Sequence, residues 1–72
     1  MPSQLSLLVQ QLQSAVLNKT SRRIWNLAIE VHPEQIVLRG ETSTFHMKQL
    51  AQESVRKVLP QLRLVNAIEV AA

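Results

Sequence analysis

The chain has 72 residues, 46% of them hydrophobic, with no cysteine and a formal net charge of +3. This length accommodates one domain, which buries only about 60% of the surface that its unfolded chain exposes. The absence of cysteine excludes disulfides and thiolate metal sites. The mild positive charge favours anionic surfaces such as phosphates or acidic lipids, but it is not the dense cationic footprint of a dedicated nucleic-acid-binding protein.

The first predicted element is an amphipathic helix over about residues 4–17. Ser3 is a suitable N-cap, and Asn18 and Lys19 suit a helix end. Apolar residues recur through this segment at helical spacing, which indicates one buried stripe. The stripe consists of Leu5, Leu8, Val9, Leu12, Ala15 and Val16.

Two strands are predicted next, over about residues 24–32 and 36–40. The first run alternates with period two, which is typical of a half-buried strand. Trp25 shares the parity of Leu27, so the alternation predicts that Trp25 lies in the core or is partly buried. The segment from His32 to Gln35 contains a proline and predicts a hairpin turn. We expect Gly40 to end the second strand.

A second helix over about residues 44–59 and a strand over about residues 62–70 complete the chain. Three consecutive hydroxyl residues precede the helix as candidate N-caps, and Pro60 stops it. Asn66 interrupts the apolar side of the last strand. We expect it at a bulge or bonded to a neighbouring loop, because a buried amide requires partners. The candidate caps are Thr42, Ser43 and Thr44.

These elements predict a single α+β domain of order α-β-β-α-β, with two helices on one face of a three-stranded mixed sheet. The pattern leaves the strand order open. The opposite face would be mixed and small-sided, either solvated or used for docking. That face is predicted to show Asn26, Ala28, Glu30, Val37, Arg39, Val65, Ala67 and Glu69.

From Leu27 onward the chain resembles the BON domain family of bacteria. The resemblance covers most of the chain, and the closing Asn-x-Ile-x-Val is among its more recognisable parts. Two segments depart from the family pattern: residues 32–35 replace an Asp-Gly turn, and residues 60–61 replace Gly-Val. The matching positions are Ile29-x-Val31, Ile36-x-Leu38-x-Gly40, Lys48-x-x-Ala51, Val55-x-x-Val58 and Val65-Asn66-x-Ile68-x-Val70.

The resemblance implies an α-β-β-α-β fold, which agrees with the pattern of elements. It also implies attachment to phospholipid or other envelope material, often in the periplasm and often beside another domain. It brings no shared catalytic residues. The N-terminus lacks the basic residues that open a secretory signal, so we expect a cytoplasmic location, or an envelope location if the chain is a processed fragment.

The residues do not predict an enzyme. Acyl transfer needs a nucleophile, an oriented base and an oxyanion site, whereas Ser43 and His46 sit at a helix start that favours capping. His32, Glu34 and His46 could in principle surround a metal, but their spacing does not indicate one. We expect no cofactor.

One cluster is the candidate contact with an anionic surface: Lys19, Arg22, Arg23 and Trp25. A basic and aromatic edge suits a phospholipid surface. Nucleic-acid binding is less favoured, because one aromatic residue is a poor stacking platform and no Gly-rich phosphate loop is present. The open sheet edges also favour a protein partner or a homo-oligomer. The leading hypothesis is a BON-like module that binds anionic phospholipid or a protein; the alternative is a homo-oligomeric interaction domain.

Overall fold

The computed structural model describes residues 3–71. Its α-β-β-α-β order and α+β class confirm the predicted fold. The element ends lie within two residues of the predicted ones. The elements are α1 (Gln4–Lys19), β1 (Trp25–Val31), β2 (Gln35–Thr42), α2 (Phe45–Val58) and β3 (Arg63–Val70).

The three strands form one mixed sheet in the order β1-β2-β3. The central strand β2 pairs antiparallel with β1 and parallel with β3. The short turn between β1 and β2 makes these strands a hairpin. The parallel strands β2 and β3 need a longer crossover, which α2 provides. Both helices pack on one face of the sheet, which leaves the opposite face and the outer edges of β1 and β3 uncovered.

The core lies between the helices and the covered sheet face. Each helix buries a stripe, and alternate residues of each strand meet it, as period-two side chains do. Full burial of one such aliphatic side chain contributes about 1.5–3 kcal/mol. The buried cluster contains Leu12, Val16, Ile24, Ile29, Ile36, Leu38, Ala51, Val55 and Ile68.

Side-chain hydroxyls cap both helices at their N-termini. Ser3 accepts from the N–H of Ser6 at 3.1 Å, and Thr44 accepts from the N–H of Met47 at 3.2 Å. Of the three candidate caps before α2, Thr44 is therefore the one used. Each cap satisfies a backbone donor that the helix leaves unpaired, and its removal costs about 1 kcal/mol.

Asn66 neither forms a bulge nor bonds to a loop, so both expectations were wrong. The β2–β3 register is continuous across it. Its amide nitrogen donates to the Lys48 carbonyl at 3.0 Å and to Gln52 at 3.3 Å, and its oxygen accepts from the N–H of Ile68 at 3.2 Å. The amide thus ties β3 to α2, because the helix backbone supplies the partner that the predicted loop would have given.

Candidate functional site

The loop between α1 and β1 is a tight cap on the helix. The N–H of Arg22 donates to the Leu17 carbonyl at 2.8 Å, and the N–H of Ser21 donates to the Asn18 carbonyl at 3.3 Å. This pair of bonds is the Schellman arrangement, which closes helix C-termini. It requires left-handed backbone, and Ser21 and Arg22 have φ values of 54° and 60°.

Left-handed backbone is unusual for residues with a side chain, and it costs roughly 1 kcal/mol or more at each position. The helix end is held further by Thr20, whose hydroxyl donates to the Val16 carbonyl at 2.8 Å. On the sheet side, the buried hydroxyl of Thr42 donates to the Arg23 carbonyl at 2.8 Å. The loop backbone is therefore fixed at both ends by defined contacts.

A β-bulge directly after this loop reverses the position of Trp25. Trp25 lies opposite Glu41 and Ala28 lies opposite Arg39, so β1 spends one more residue than β2 between these two pairs. The extra residue is accommodated by Asn26, which has a φ of 54°. A one-residue insertion moves the side chains beyond it to the other face.

The prediction of a core or partly buried Trp25 was therefore wrong, because the side chain is exposed. The bulge gives the buried position to Ile24 and leaves Trp25 54% exposed, while Leu27 packs against the core. The prediction that Gly40 ends β2 was also wrong, because β2 continues to Thr42. Alternation alone does not reveal a bulge, although an Asn facing a Gly across a hairpin is a usable signal.

Gly40 makes the bulge possible. Its φ is +155°, and a Cβ at this position would lie 3.0 Å from Cγ2 of Ile24 and 3.1 Å from the carbonyl oxygen of Trp25. Both distances are shorter than ordinary van der Waals contact. The single glycine of the chain thus lies opposite the bulge, where a side chain would meet Ile24 and the Trp25 backbone.

All four members of the candidate anionic-surface site are exposed. Lys19 ends α1, Arg22 and Arg23 lie in the loop that follows, and Trp25 begins β1. The structure thus brings three cations and one aromatic side chain to one corner of the domain within seven residues. We name this set, Lys19, Arg22, Arg23 and Trp25, the basic corner.

Acidic residues border the basic corner on the uncovered sheet face. Glu41 lies opposite Trp25, and Glu69 lies opposite Glu41 on β3; both are exposed. The Asn26 amide donates to Glu41 at 3.4 Å. The sequence reasoning did not connect Glu41 with Trp25, because the bulge that aligns them is not visible in the alternation.

The middle of the uncovered face is mixed. Arg39 donates to Glu30, and His32 lies 3.4 Å from the same carboxylate. The hydrogen bond from Arg39, with the adjacent positive charge, holds the pKa of Glu30 below its usual value. Beside this pair, Val37 on the central strand is only 6% exposed although no helix covers it. The face is therefore partly self-paired rather than a uniform docking surface.

The residues considered for catalysis or metal binding belong to different elements of the fold. His32 and Glu34 line a shallow depression at the β1–β2 turn, whereas exposed His46 belongs to α2. Within residues 3–71, no group of three His, Cys, Asp or Glu side chains could hold a metal ion. In the same range, no helix is both long and apolar enough to span a bilayer.

Comparison of the chain with protein-family models, curated proteins and solved structures gives no match. The BON resemblance therefore stays a prediction that depends on the spaced residues alone. The fold agrees with it, but an α-β-β-α-β order is not specific to one family.

Proposed function

We propose that the protein is a non-enzymatic, BON-like binding module that contacts an anionic phospholipid surface through the basic corner. The observation that carries this proposal is the bulge, which turns Trp25 outward beside three exposed cations. Tryptophan favours the headgroup level of a bilayer, and Lys and Arg favour its anionic surface. Each cation near such a surface contributes about 1 kcal/mol.

The loop geometry supports a pre-organised contact. Backbone hydrogen bonds fix Ser21, Arg22 and Arg23, and two of these residues are held in left-handed conformations. Strained backbone is found preferentially at functional sites, and a fixed loop loses little conformational freedom on binding. Three cations nevertheless give only weak attachment, so we expect binding that weakens as salt rises.

The acidic neighbours define the direction of approach. Glu41 and Glu69 would be repelled by an anionic surface if the whole sheet face lay flat on it. The module therefore approaches with the α1–β1 loop foremost and with Trp25 at the boundary of the contact. Glu41→Gln should strengthen binding, because it removes the carboxylate opposite Trp25.

The single tryptophan allows a direct test. Vesicles of phosphatidylglycerol and phosphatidylcholine should pellet the protein at low salt and shift Trp25 emission to shorter wavelength; pure phosphatidylcholine should do neither. Arg22→Gln with Arg23→Gln should weaken binding about ten- to thirtyfold, following two lost contributions of about 1 kcal/mol. The matched control is Arg56→Gln with Lys57→Gln, which removes the same charge from exposed positions at the end of α2.

Three results would contradict the proposal. The first is no pelleting with acidic vesicles at low salt. The second is pelleting without a change in Trp25 emission, which would place the contact elsewhere. The third is equal weakening by the control pair, which would indicate binding by net charge alone. Binding of mixed-sequence RNA or single-stranded DNA more tightly than vesicles at equal salt would instead favour the nucleic-acid hypothesis.

A further inference from the structure

The outer edge of β3 is regular. β3 pairs with β2 without interruption from Arg63 to Val70, whereas β1 carries a bulge. An uninterrupted edge strand can pair with a strand of another chain, and proteins commonly prevent this with bulges, prolines or charges. β3 contains no proline, and its two charged residues, Arg63 and Glu69, lie near its opposite ends. This edge is therefore open to pairing.

The backbone groups that point away from β2 can be identified. The N–H of Ala71 donates to the Thr42 carbonyl at 2.8 Å, which directs odd-numbered residues of this strand toward β2. Successive residues of a strand direct their backbone groups to opposite sides. A partner strand must therefore pair with the even-numbered residues, which are Leu64, Asn66, Ile68 and Val70.

We propose that β3 pairs antiparallel with β3 of a second copy of this chain, about a two-fold axis at Asn66. In this register Arg63 faces Glu69 of the second copy, and the symmetry repeats that pair. Val65 faces Ala67 of the second copy on the same, uncovered face. Opposite charges that face each other across an antiparallel pair stabilise it.

Other registers of the antiparallel β3 pair lack this charge complementarity. A shift of the register by two residues places Arg63 opposite Ala67 or Ala71 of the second copy, so both ion pairs are lost. A shift by one residue would pair outward backbone groups with inward ones. Closed two-fold dimers use the same patch on both subunits, which requires the antiparallel arrangement here. Charge complementarity therefore selects a single register.

The helix layer lies on the same side of the sheet in both copies. α2 contacts β3 more extensively than β2, and Asn66 ties it to β3. The two α2 helices of the dimer would therefore lie next to each other on the covered face of the joined sheet.

An exposed aromatic residue lies on the flank of α2 that would face its copy. Asn66 of β3 donates to Lys48 and Gln52, so this side of the helix lies over β3. Phe45 shares that side at helical spacing and is 69% exposed. Pairing of the β3 edges would cover Phe45, which gives a second reason for association that is independent of the charges.

Asn66 also keeps the association weak. In the single chain its oxygen accepts the outward N–H of Ile68 at 3.2 Å. Pairing replaces that bond with one to the Leu64 carbonyl of the second copy. The pairing therefore adds fewer new hydrogen bonds than it would at an edge whose N–H groups all lack a protein acceptor. We therefore expect a concentration-dependent dimer rather than an obligate one. Its two uncovered sheet faces would point to the same side.

Sedimentation equilibrium without lipid tests the dimer separately from the proposed function. The natural chain should self-associate reversibly below about 1 mM, in the range of weak interfaces. Arg63→Glu should lower the association constant about tenfold, because each dimer then opposes two pairs of carboxylates. Glu69→Arg should do the same. The double variant R63E/E69R should regain most of the association, since it restores both pairs in the reverse order.

Mixing the two single variants gives the most specific test of the register. Arg63→Glu and Glu69→Arg chains should associate with each other more tightly than either does with itself. Lys57→Glu makes the same charge change at an exposed position away from β3 and should have little effect. Circular dichroism establishes that each variant is folded, and amide chemical-shift changes on dilution should concentrate on β3 and the Phe45 flank.

Monomer throughout the concentration range would overturn the proposal. So would equal effects of Arg63→Glu and Lys57→Glu, no recovery in the double variant, or dilution shifts centred on β1. None of these results bears on vesicle binding by the basic corner, which is measured by Trp25 emission.

Discussion

The two outer strands of the sheet differ in the regularity of their edges. β1 carries a bulge, a left-handed Asn26 and a preceding loop with two more left-handed residues. β3 keeps a continuous register, and among its residues none has a positive φ. One edge is irregular and bears the basic corner, whereas the other is regular and open to pairing.

This difference shows how little sequence is needed to change the role of an edge. Because of one extra residue in β1, Ile24 rather than Trp25 is buried. The conformational free energy of the irregular backbone is offset by hydrogen bonds around the loop. A glycine opposite the bulge avoids a steric clash there. On β3, the single amide of Asn66 connects the edge to α2.

Gly40→Ala should have the largest effect on this comparison, because it attacks the bulge. The added Cβ would meet Ile24 and the Trp25 carbonyl at about 3 Å, on a backbone with φ +155°. Overpacking and backbone strain together should lower the free energy of unfolding by about 2–4 kcal/mol. Urea denaturation measures it. Ser43→Ala, at an exposed position just after the same strand, should stay within about 0.5 kcal/mol; a similarly small change for Gly40→Ala would show that the bulge tolerates a side chain.

Asn66→Ala should have an intermediate effect at the regular edge. It removes two donated bonds to α2 and one accepted bond from Ile68, in a half-buried setting. The loss should be about 1–2 kcal/mol of unfolding free energy. Gln49→Ala, on the exposed side of α2, is the control and should change little. Loss of stability no greater than that of the control would mean that water replaces the amide without cost.

Ser21→Gly should have the smallest effect, and with the opposite sign. Ser21 occupies the left-handed C′ position of the α1 cap, where glycine has no steric penalty. We expect a gain of about 0.5–1 kcal/mol in unfolding free energy. Ser14→Gly makes the same substitution at an exposed site inside α1, where it should cost about 0.5 kcal/mol. Equal signs for the two variants would indicate that the loop is not strained at Ser21.

The fold was accessible from sequence because its signals are local and redundant. Apolar residues at helical spacing and hydroxyl caps indicate α1 and α2, and the β-branched alternation around Pro33 indicates the hairpin. The candidate site was accessible only as a list of residue types, since Lys19, Arg22, Arg23 and Trp25 are close along the chain. Whether Trp25 lies inside or outside depends on the register between two strands, which period-two reasoning assumes to be unbroken.

The sequence by itself determined the element order, the N-cap of α1 and the polarity of the first loop, because these depend on neighbours within a few residues. Tertiary structure alone decided the bulge opposite Gly40, the outward position of Trp25, the contact of Asn66 with α2 and the strand order that leaves β1 and β3 as edges. Each of these depends on a distant segment: a close approach, a hydrogen-bond acceptor or a pairing register exists only once that segment is in place.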